Sequence, residues 1–379
     1  LKKKSITKSL DDRILTINWK AVRHNIQYFR EKLKPKTKLM LMIKADAYGN
    51  GAIPFAQLIE EENQADYLSV AYPEEGVELR KNGISLPIMV LNPPAESWEI
   101  MVKHCLEPEI HHLENLKSFH EFLNSQHKKL RGYPIHIKFN SGMNRLGINQ
   151  EEVPELVSYL KQVFLPFKIK SLMSHLSCSD SVYEDEFTKN QLKLFQKICR
   201  KLKPYLKHKP FKHILNTNGI ERYPEFQMEM VRLGIGIHGA SKLQNLRQTL
   251  LPTTVLKSRI CAVRRVKAGD SIGYGRAGKV QSEGFIATLP IGYADGVSRW
   301  LGKGNWQVEI EGRLFPTIGN VCMDLCMIDL GENKLPINTE VIIFGGKKSL
   351  FEFALAQYTI TYEALTKIGK RVKRVIVNR

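Results

Sequence analysis

The sequence has no apolar run of the roughly 18 residues that a membrane-crossing helix needs, so no membrane partner is expected. No apolar stretch follows the basic Lys2 to Lys4 before Asp11 and Asp12 arrive, so a secretory signal is not expected. Cysteine is scarce: Cys105, Cys178, Cys199, Cys261, Cys322 and Cys326 are irregularly spaced, with no C-x-x-C. That pattern argues against a disulfide framework and for free thiols in a reducing compartment, hence a cytoplasmic location. The pairs His104-Cys105 and His111-His112 lack a second half at ligand spacing, and no metal site is expected. Acidic residues are few, 38 against 57 Lys and Arg, for a net charge of +19. Such a surplus attracts anions, nucleic acid included. The basic residues are nonetheless spread out, densest at Lys2 to Lys4, Arg200 to Lys209 and Lys367 to Arg374. No aromatic-interleaved basic tract is present, so they read as a solvated surface and nucleic acid is not expected as a partner. An initiating methionine is also missing; the expectation is either an engineered start or the C-terminal part of a longer protein.

At 379 residues the chain exceeds one typical core, and two domains are expected. Asn18 is placed to cap a helix running to about Leu33, with Val22, Ile26 and Phe29 on one face. Runs of strand length then recur at Lys38 to Ile43, Tyr67 to Ala71, Pro87 to Leu91, Pro108 to Ile110, Ile135 to Phe139, Ile169 to Ser174, His213 to Leu215 and Met230 to Ile237. Helical patterns separate them, among them Phe55 to Glu62, Glu74 to Lys81, Glu114 to Lys129, Glu151 to Val163 and Glu184 to Lys203. This alternation predicts a parallel α/β fold, a (β/α)8 TIM-type barrel, over residues 1–245. The texture changes after that. Thr253 to Val266, Gly284 to Leu289, Trp306 to Ile310, Cys326 to Leu330 and Glu340 to Phe344 predict a mainly antiparallel β domain over 246–379. A helix Phe351 to Lys367 and a last strand Arg374 to Val377 complete it, and the extreme N-terminal strand could pack with this second domain.

Chemistry concentrates at the first barrel strand. The apolar Leu39 to Ile43 runs into Lys44-Ala-Asp-Ala-Tyr48-Gly-Asn-Gly. The C-terminal ends of barrel strands form the active face. A lysine there sits beside a low-dielectric core, which lowers its pKa and readies it for a Schiff base with an aldehyde cofactor. A lysine merely snorkelling from a strand end has the same position, and position alone does not separate the two.

More blocks follow in order: Ser141-Gly-Met-Asn-Arg145-Leu-Gly147, Met173-Ser-His175, Asn216-Thr217 and Val231-Arg232-Leu-Gly234-Ile235. After them come Gly273-Tyr274-Gly275, Ile291-Gly-Tyr293-Ala-Asp-Gly and Gly319-Asn-Val-Cys-Met323-Asp324. Together with the Lys44 block they resemble the alanine racemase family, in the family's order, from about residue 40 to residue 330. The resemblance implies a pyridoxal 5'-phosphate enzyme with a barrel and a β domain, working as a head-to-tail homodimer with shared active sites. Lys44 would hold the cofactor and act as one base. Tyr274, from the partner subunit, would be the base on the other face of the substrate Cα, as interconversion of mirror images requires. An unperturbed tyrosine, with a pKa of about 10, is a weak base; His175 would stabilise its phenolate. Arg232 would face the pyridine nitrogen and, unable to give up its proton near neutrality, would keep the cofactor a weaker electron sink. Tyr48, Asn216, Thr217, Gly234 and Ile235 would complete the cofactor site, with Thr217 and the glycine-rich backbone on the phosphate. Arg145 would take the substrate carboxylate, helped by the backbone of Met323 from the partner subunit. Tyr293 and Arg299 would line the entrance.

Lys138 matches a family position where a carbamylated lysine orients the carboxylate-binding arginine. The resemblance also marks departures. Lys370, in Ile368-Gly-Lys-Arg371, stands where a phosphate-binding tyrosine is expected, and Asn140 where aspartate is common. A decarboxylase of basic amino acids shares the fold plan but has a Glu-Pro-Gly-Arg segment that is absent here. A non-catalytic cofactor-binding barrel would lack the second domain. A racemase for serine or a larger side chain stays open, since one methylene is worth only about 1–3 kcal/mol. The implied role is to interconvert L- and D-alanine in the bacterial cytoplasm, supplying D-alanine for peptidoglycan. The basic leader Leu1 to Leu10 could be the linker of a fusion behind a cell-wall ligase.

Overall fold

A computed structural model of the chain describes residues 12–126, 131–162 and 165–379. The leader Leu1 to Leu10, Lys129 and Val163 lie outside the described residues. The chain forms two compact units: Arg23–Leu251, and Pro252–Arg379 together with the N-terminal residues through Val22.

Strand β1 (Arg13–Asn18) belongs to the second of these units. The Asn18 side chain then accepts the Ala21 N–H at 3.3 Å and starts the helix Trp19–Glu31. The barrel unit follows with β2 (Lys38–Met42), β3 (Tyr67–Val70), β4 (Ile88–Val90), β5 (Leu106–Ile110), β6 (Tyr133–Lys138), β7 (Phe167–Met173), β8 (Phe211–His213) and β9 (Met230–Leu233). These eight strands, counted among the described residues, pair in parallel in sequence order from β2 to β8, and β9 pairs with β2. Between β8 and β9 no ladder forms among the described residues; there the Arg232 N–H donates to the Leu215 carbonyl at 3.0 Å. The result is a nearly closed (β/α)8 barrel. Alternate strand residues point inward, and Met40, Tyr67, Met89, Met173 and Met230 form one buried cluster.

The other unit is a nine-stranded sheet. It contains β1, β10 (Thr254–Arg259), β11 (Ala262–Val266), β14 (Gly284–Leu289), β15 (Gln307–Ile310), β16 (Arg313–Ile318), β17 (Cys326–Gly331), β18 (Glu340–Phe344) and β19 (Lys373–Val377), while β12 (Ser271–Ile272) and β13 (Gly278–Lys279) form a small hairpin. Pairing is antiparallel except between β1 and β19. Leu15, Leu256, Ile328, Phe344 and Phe353 are central to its apolar core.

Several expectations are corrected. The run Thr253 to Val266 is two strands, because the Ile260 N–H turns to the Thr339 carbonyl and the Cys261 N–H to that of Thr288. The strand expected to reach Ile237 stops at Leu233, and a 3₁₀ turn, Ile235–His238, follows. The helix Phe351 to Lys367 is two helices, Leu350–Ala356 and Thr361–Thr366, broken where Tyr358 takes a φ of 57°. Strand β16 went unforeseen because Pro316 lies inside it, and proline argues against a strand interior.

Candidate active site

Lys44 leaves the C-terminal end of β2 half-buried. Burial first, then the charges of Arg145 and Lys138, lower its amine pKa. The next four residues, Ala45 to Tyr48, form a left-handed turn with φ between 51° and 55°. L-residues pay roughly 1–2 kcal/mol each for that conformation, so the surroundings must hold it. The Glu75 carboxylate accepts the Ala45 N–H at 2.5 Å, as well as those of Ala71 and Tyr72. The Asp46 side chain accepts the Ala52 N–H at 2.7 Å, and Asn50 donates to the Ala47 carbonyl at 3.0 Å. The turn brings the Tyr48 hydroxyl to Gly234, where a Cβ would lie 2.6 Å from its oxygen.

The chain past β9 forms a polar cradle with the start of the helix Thr217–Arg222. The Thr217 hydroxyl accepts the N–H groups of Gly234 (3.2 Å) and Gly236 (3.4 Å). A Cβ on Gly236 would strike Phe29 and Thr217. Asn216 caps the helix, its side-chain oxygen taking the Gly219 N–H at 3.0 Å and the Ser179 hydroxyl at 2.7 Å. Arg232, 3% exposed, is held on all sides. Its guanidinium donates to His213 Nδ1 (2.5 Å), His175 Nδ1 (3.1 Å) and the carbonyls of Ser174 (2.7 Å) and Ile214 (3.1 Å). Burial lowers its pKa to about 10, against the charge of Glu109, so the guanidinium stays charged at neutral pH. Burial and then the Arg232 charge push His175 and His213 far below the ordinary imidazole value, so both are neutral.

Residues 17–242 match the family model for the alanine racemase N-terminal domain, and residues 253–376 the one for the alanine racemase C-terminal domain. The chain belongs to the alanine racemase family. It is 33% identical to alanine racemase 1 of Oceanobacillus iheyensis over 97% of this chain and 98% of that one, and 34% identical to the alanine racemase of Clostridium novyi over 95% and 94%. Among solved structures, the alanine racemase of Clostridium difficile superposes with a TM-score of 0.89 at 32% identity, covering 97% of both chains. The alanine racemase of Bartonella henselae, described with covalently bound pyridoxal phosphate, superposes with a TM-score of 0.87 at 25% identity, covering 97% of this chain and 99% of that one. The family consists of pyridoxal-phosphate-dependent isomerases, and the TIM-type barrel followed by a mainly antiparallel β domain agrees with it.

The residues present fit that cofactor. The cradle that a Cβ at Gly234 or Gly236 would fill offers Thr217, Tyr48 and backbone N–H donors to an anion. Lys44 offers an amine of lowered pKa, and Arg232 a fixed cation. Thr217 engages the N–H groups of Gly234 and Gly236, and Asn216 serves as a helix cap. Lys138, also buried, donates to both oxygens of Glu109 at 3.0 and 3.3 Å. Arg145 is exposed and has no ion-pair partner among the described residues.

Tyr274, Tyr293 and Met323 lie in the other alanine racemase unit, 74%, 42% and 54% exposed. The Tyr274 loop is tied to a neighbour through Asn320, which donates to the Tyr274 carbonyl at 3.0 Å. The Tyr293 and Ala294 N–H groups bind the Cys322 and Met323 carbonyls. Arg371 clamps the same loops through Asp295 and Asp324, while Lys370 beside it is exposed. Sequence reasoning missed Glu75, Glu107, Glu109, His136, Ser171 and His213. The available signal was a titratable or hydroxyl residue at alternate positions of strands, as in Glu107/Glu109 and His136/Lys138. Among the described residues, no cluster of His, Cys, Asp and Glu could hold a metal, and no helix is long and apolar enough to cross a membrane.

Proposed function

We propose that the protein interconverts L- and D-alanine by two-base proton transfer, with Lys44 on one face of the substrate and Tyr274 of a partner subunit on the other. The observation that carries this reading is the convergence of Lys44, Tyr48, Thr217, Gly234 and Arg232 at one end of the barrel. The names of the relatives support alanine as the substrate. Pyridoxal phosphate, when bound, supplies an electron sink that acidifies the substrate Cα–H. The chain's own residues do the rest. Thr217, Tyr48 and the Gly234 and Ile235 backbone hold the phosphate. Arg145 binds the substrate carboxylate, assisted by the backbone of Met323 from the partner subunit, and Tyr293 lines the entrance. Lys44, its ammonium form disfavoured first by burial and then by nearby Arg145 and Lys138, takes or returns the proton on its face of the substrate. Arg232 is locked by acceptors on four residues, His213, Ser174, His175 and Ile214, and presents charge without yielding a proton. The exposure of Tyr274 and Met323 suits groups that complete a second subunit's site in a head-to-tail homodimer. The product fits D-alanine supply for peptidoglycan in the bacterial cytoplasm.

The test is the absorption spectrum and alanine racemisation of the wild type, Lys44→Ala and Tyr274→Phe. Lys44→Ala is expected to lose both the cofactor band and racemisation. Tyr274→Phe is expected to keep the band and lose roughly 10²–10⁴-fold in rate. A band without alanine racemisation would move the reading to serine or a larger substrate, and no band with added pyridoxal phosphate would sink it.

A further inference from the structure

Five polar side chains on consecutive barrel strands touch in series. Arg232 on β9 meets His213 Nδ1 at 2.5 Å. His213 Nε2 meets the Ser171 hydroxyl on β7 at 2.8 Å. Ser171 meets His136 Nδ1 on β6 at 2.7 Å, and His136 Nε2 meets Glu107 on β5 at 2.7 Å. Tyr67 on β3 also donates to Glu107, at 3.2 Å. His136, Ser171 and His213 are fully buried, so no bulk water competes for these bonds.

The direction of every bond follows from the first. A guanidinium can only donate, so His213 Nδ1 is bare. An imidazole cannot have both nitrogens bare at neutral pH, so its Nε2 carries the proton and donates to Ser171. The Ser171 proton is then free for His136 Nδ1. His136 Nε2 therefore carries its proton and donates to Glu107. A carboxylate, which only accepts, closes the chain. Burial pushes the Glu107 pKa up, but the hydrogen bonds from His136 and Tyr67, with the nearby Lys170, hold it below the ordinary carboxylate value. A cation at one end and an anion at the other leave one orientation in which no donor or acceptor is wasted, and such chains polarise cooperatively. The chain also bridges β8 and β9, where the barrel has no ladder.

We propose that Glu107, His136 and Ser171 are positioning residues for Arg232: their one-directional chain fixes His213 as the Nε2–H tautomer, whose bare Nδ1 holds the guanidinium in place. The functional consequence rests on the racemase reading above; the tautomers do not.

The test uses the full-length protein labelled with ¹⁵N-histidine, with and without pyridoxal phosphate. Nitrogen–proton correlation spectra, assigned through His213→Gln and His136→Gln, report which ring nitrogen carries the proton. The wild type is expected to show His213 and His136 protonated at Nε2 alone. Ser171→Ala is expected to break the His213 signature, to shift the absorption maximum of bound pyridoxal phosphate, and to lower kcat about two- to tenfold with KM for alanine unchanged, the worth of one hydrogen bond. Ser171→Thr, which restores the hydroxyl, is expected to recover all three. Protonation of wild-type His213 at Nδ1 would overturn the proposal without any variant. So would a Ser171→Ala protein with unchanged tautomer, spectrum and kcat. A protein that bound no cofactor would fail the functional reading, while the wild-type tautomers would still decide the chain.

Discussion

The two units bury different matter. Facing into the barrel, methionines share the space with Glu109, His136, Lys138, His213 and Arg232, nearly all of them inaccessible to water. The β-rich unit closes over aliphatic and aromatic side chains such as Leu256, Ile328, Phe344 and Phe353, and its exposed Tyr274 and Met323 sit on loops. A buried charge is tolerable only with a partner, and the barrel supplies one for each: Glu109 for Lys138, His213 and His175 for Arg232. The barrel interior therefore depends on polar order among its buried charges, whereas the β-rich core is mainly apolar, with its buried Asp295 paired to Arg371.

Breaking one partner in each unit should separate these designs. Lys138→Met leaves Glu109 buried and unpaired, and should cost about 3–5 kcal/mol in urea denaturation. Phe344→Ala should cost a similar 3–5 kcal/mol through its cavity. The two differ in rescue: adding Glu109→Leu to Lys138→Met should recover most of the loss, because the penalty is an unpaired charge. If the double variant is no more stable than Lys138→Met, the buried ion pair is not what the barrel interior depends on.

Acid should sharpen the contrast further. All eleven histidines lie between Arg23 and Leu251. Burial lowers His238 to about 3 and pushes His175 and His213 far down as well. Their folded pKa values lie below the unfolded one, so the unfolded chain gains protons first as pH falls below about 6.5. Stability then drops by about 1.4 kcal/mol per pH unit for each such imidazole. Denaturation midpoints between about pH 7 and pH 5 should fall for the barrel before the β-rich unit, and His238→Gln should flatten the slope by one imidazole's share. Equal slopes in both units would refute this assignment.

Helix caps provide the smallest comparison. Asn216→Ala and Ser349→Ala each remove a capping oxygen and should cost about 1 kcal/mol. Only Asn216→Ala should also weaken pyridoxal phosphate binding, measured by titration of the cofactor-free protein, because its helix begins at Thr217.

The sequence carried the barrel rhythm, since an apolar strand buried on both faces and an amphipathic helix leave periodic marks. Most strand positions from β2 to β9 were legible to within a few residues. The blocks at Lys44, Arg145, His175 and Arg232 stand out in sequence because they are contiguous motifs, and their roles belong to the proposed function. The corrections fell where local pattern is silent: Pro316 inside β16, Tyr358 breaking a helix, and Ile260 and Cys261 sending neighbouring N–H groups to different partners.

Sequence alone determined which residues could do the chemistry and in what order the elements appear, because periodicity and motif are properties of neighbours along a chain. Tertiary structure decided the rest. The left-handed turn after Lys44 survives because Glu75, some 30 residues on, accepts its N–H. Arg232 takes its pose from His213 and, through Ser171 and His136, from Glu107 four strands away. Such bonds join residues that only the closing of the barrel brings within reach, and no pattern along the chain records them.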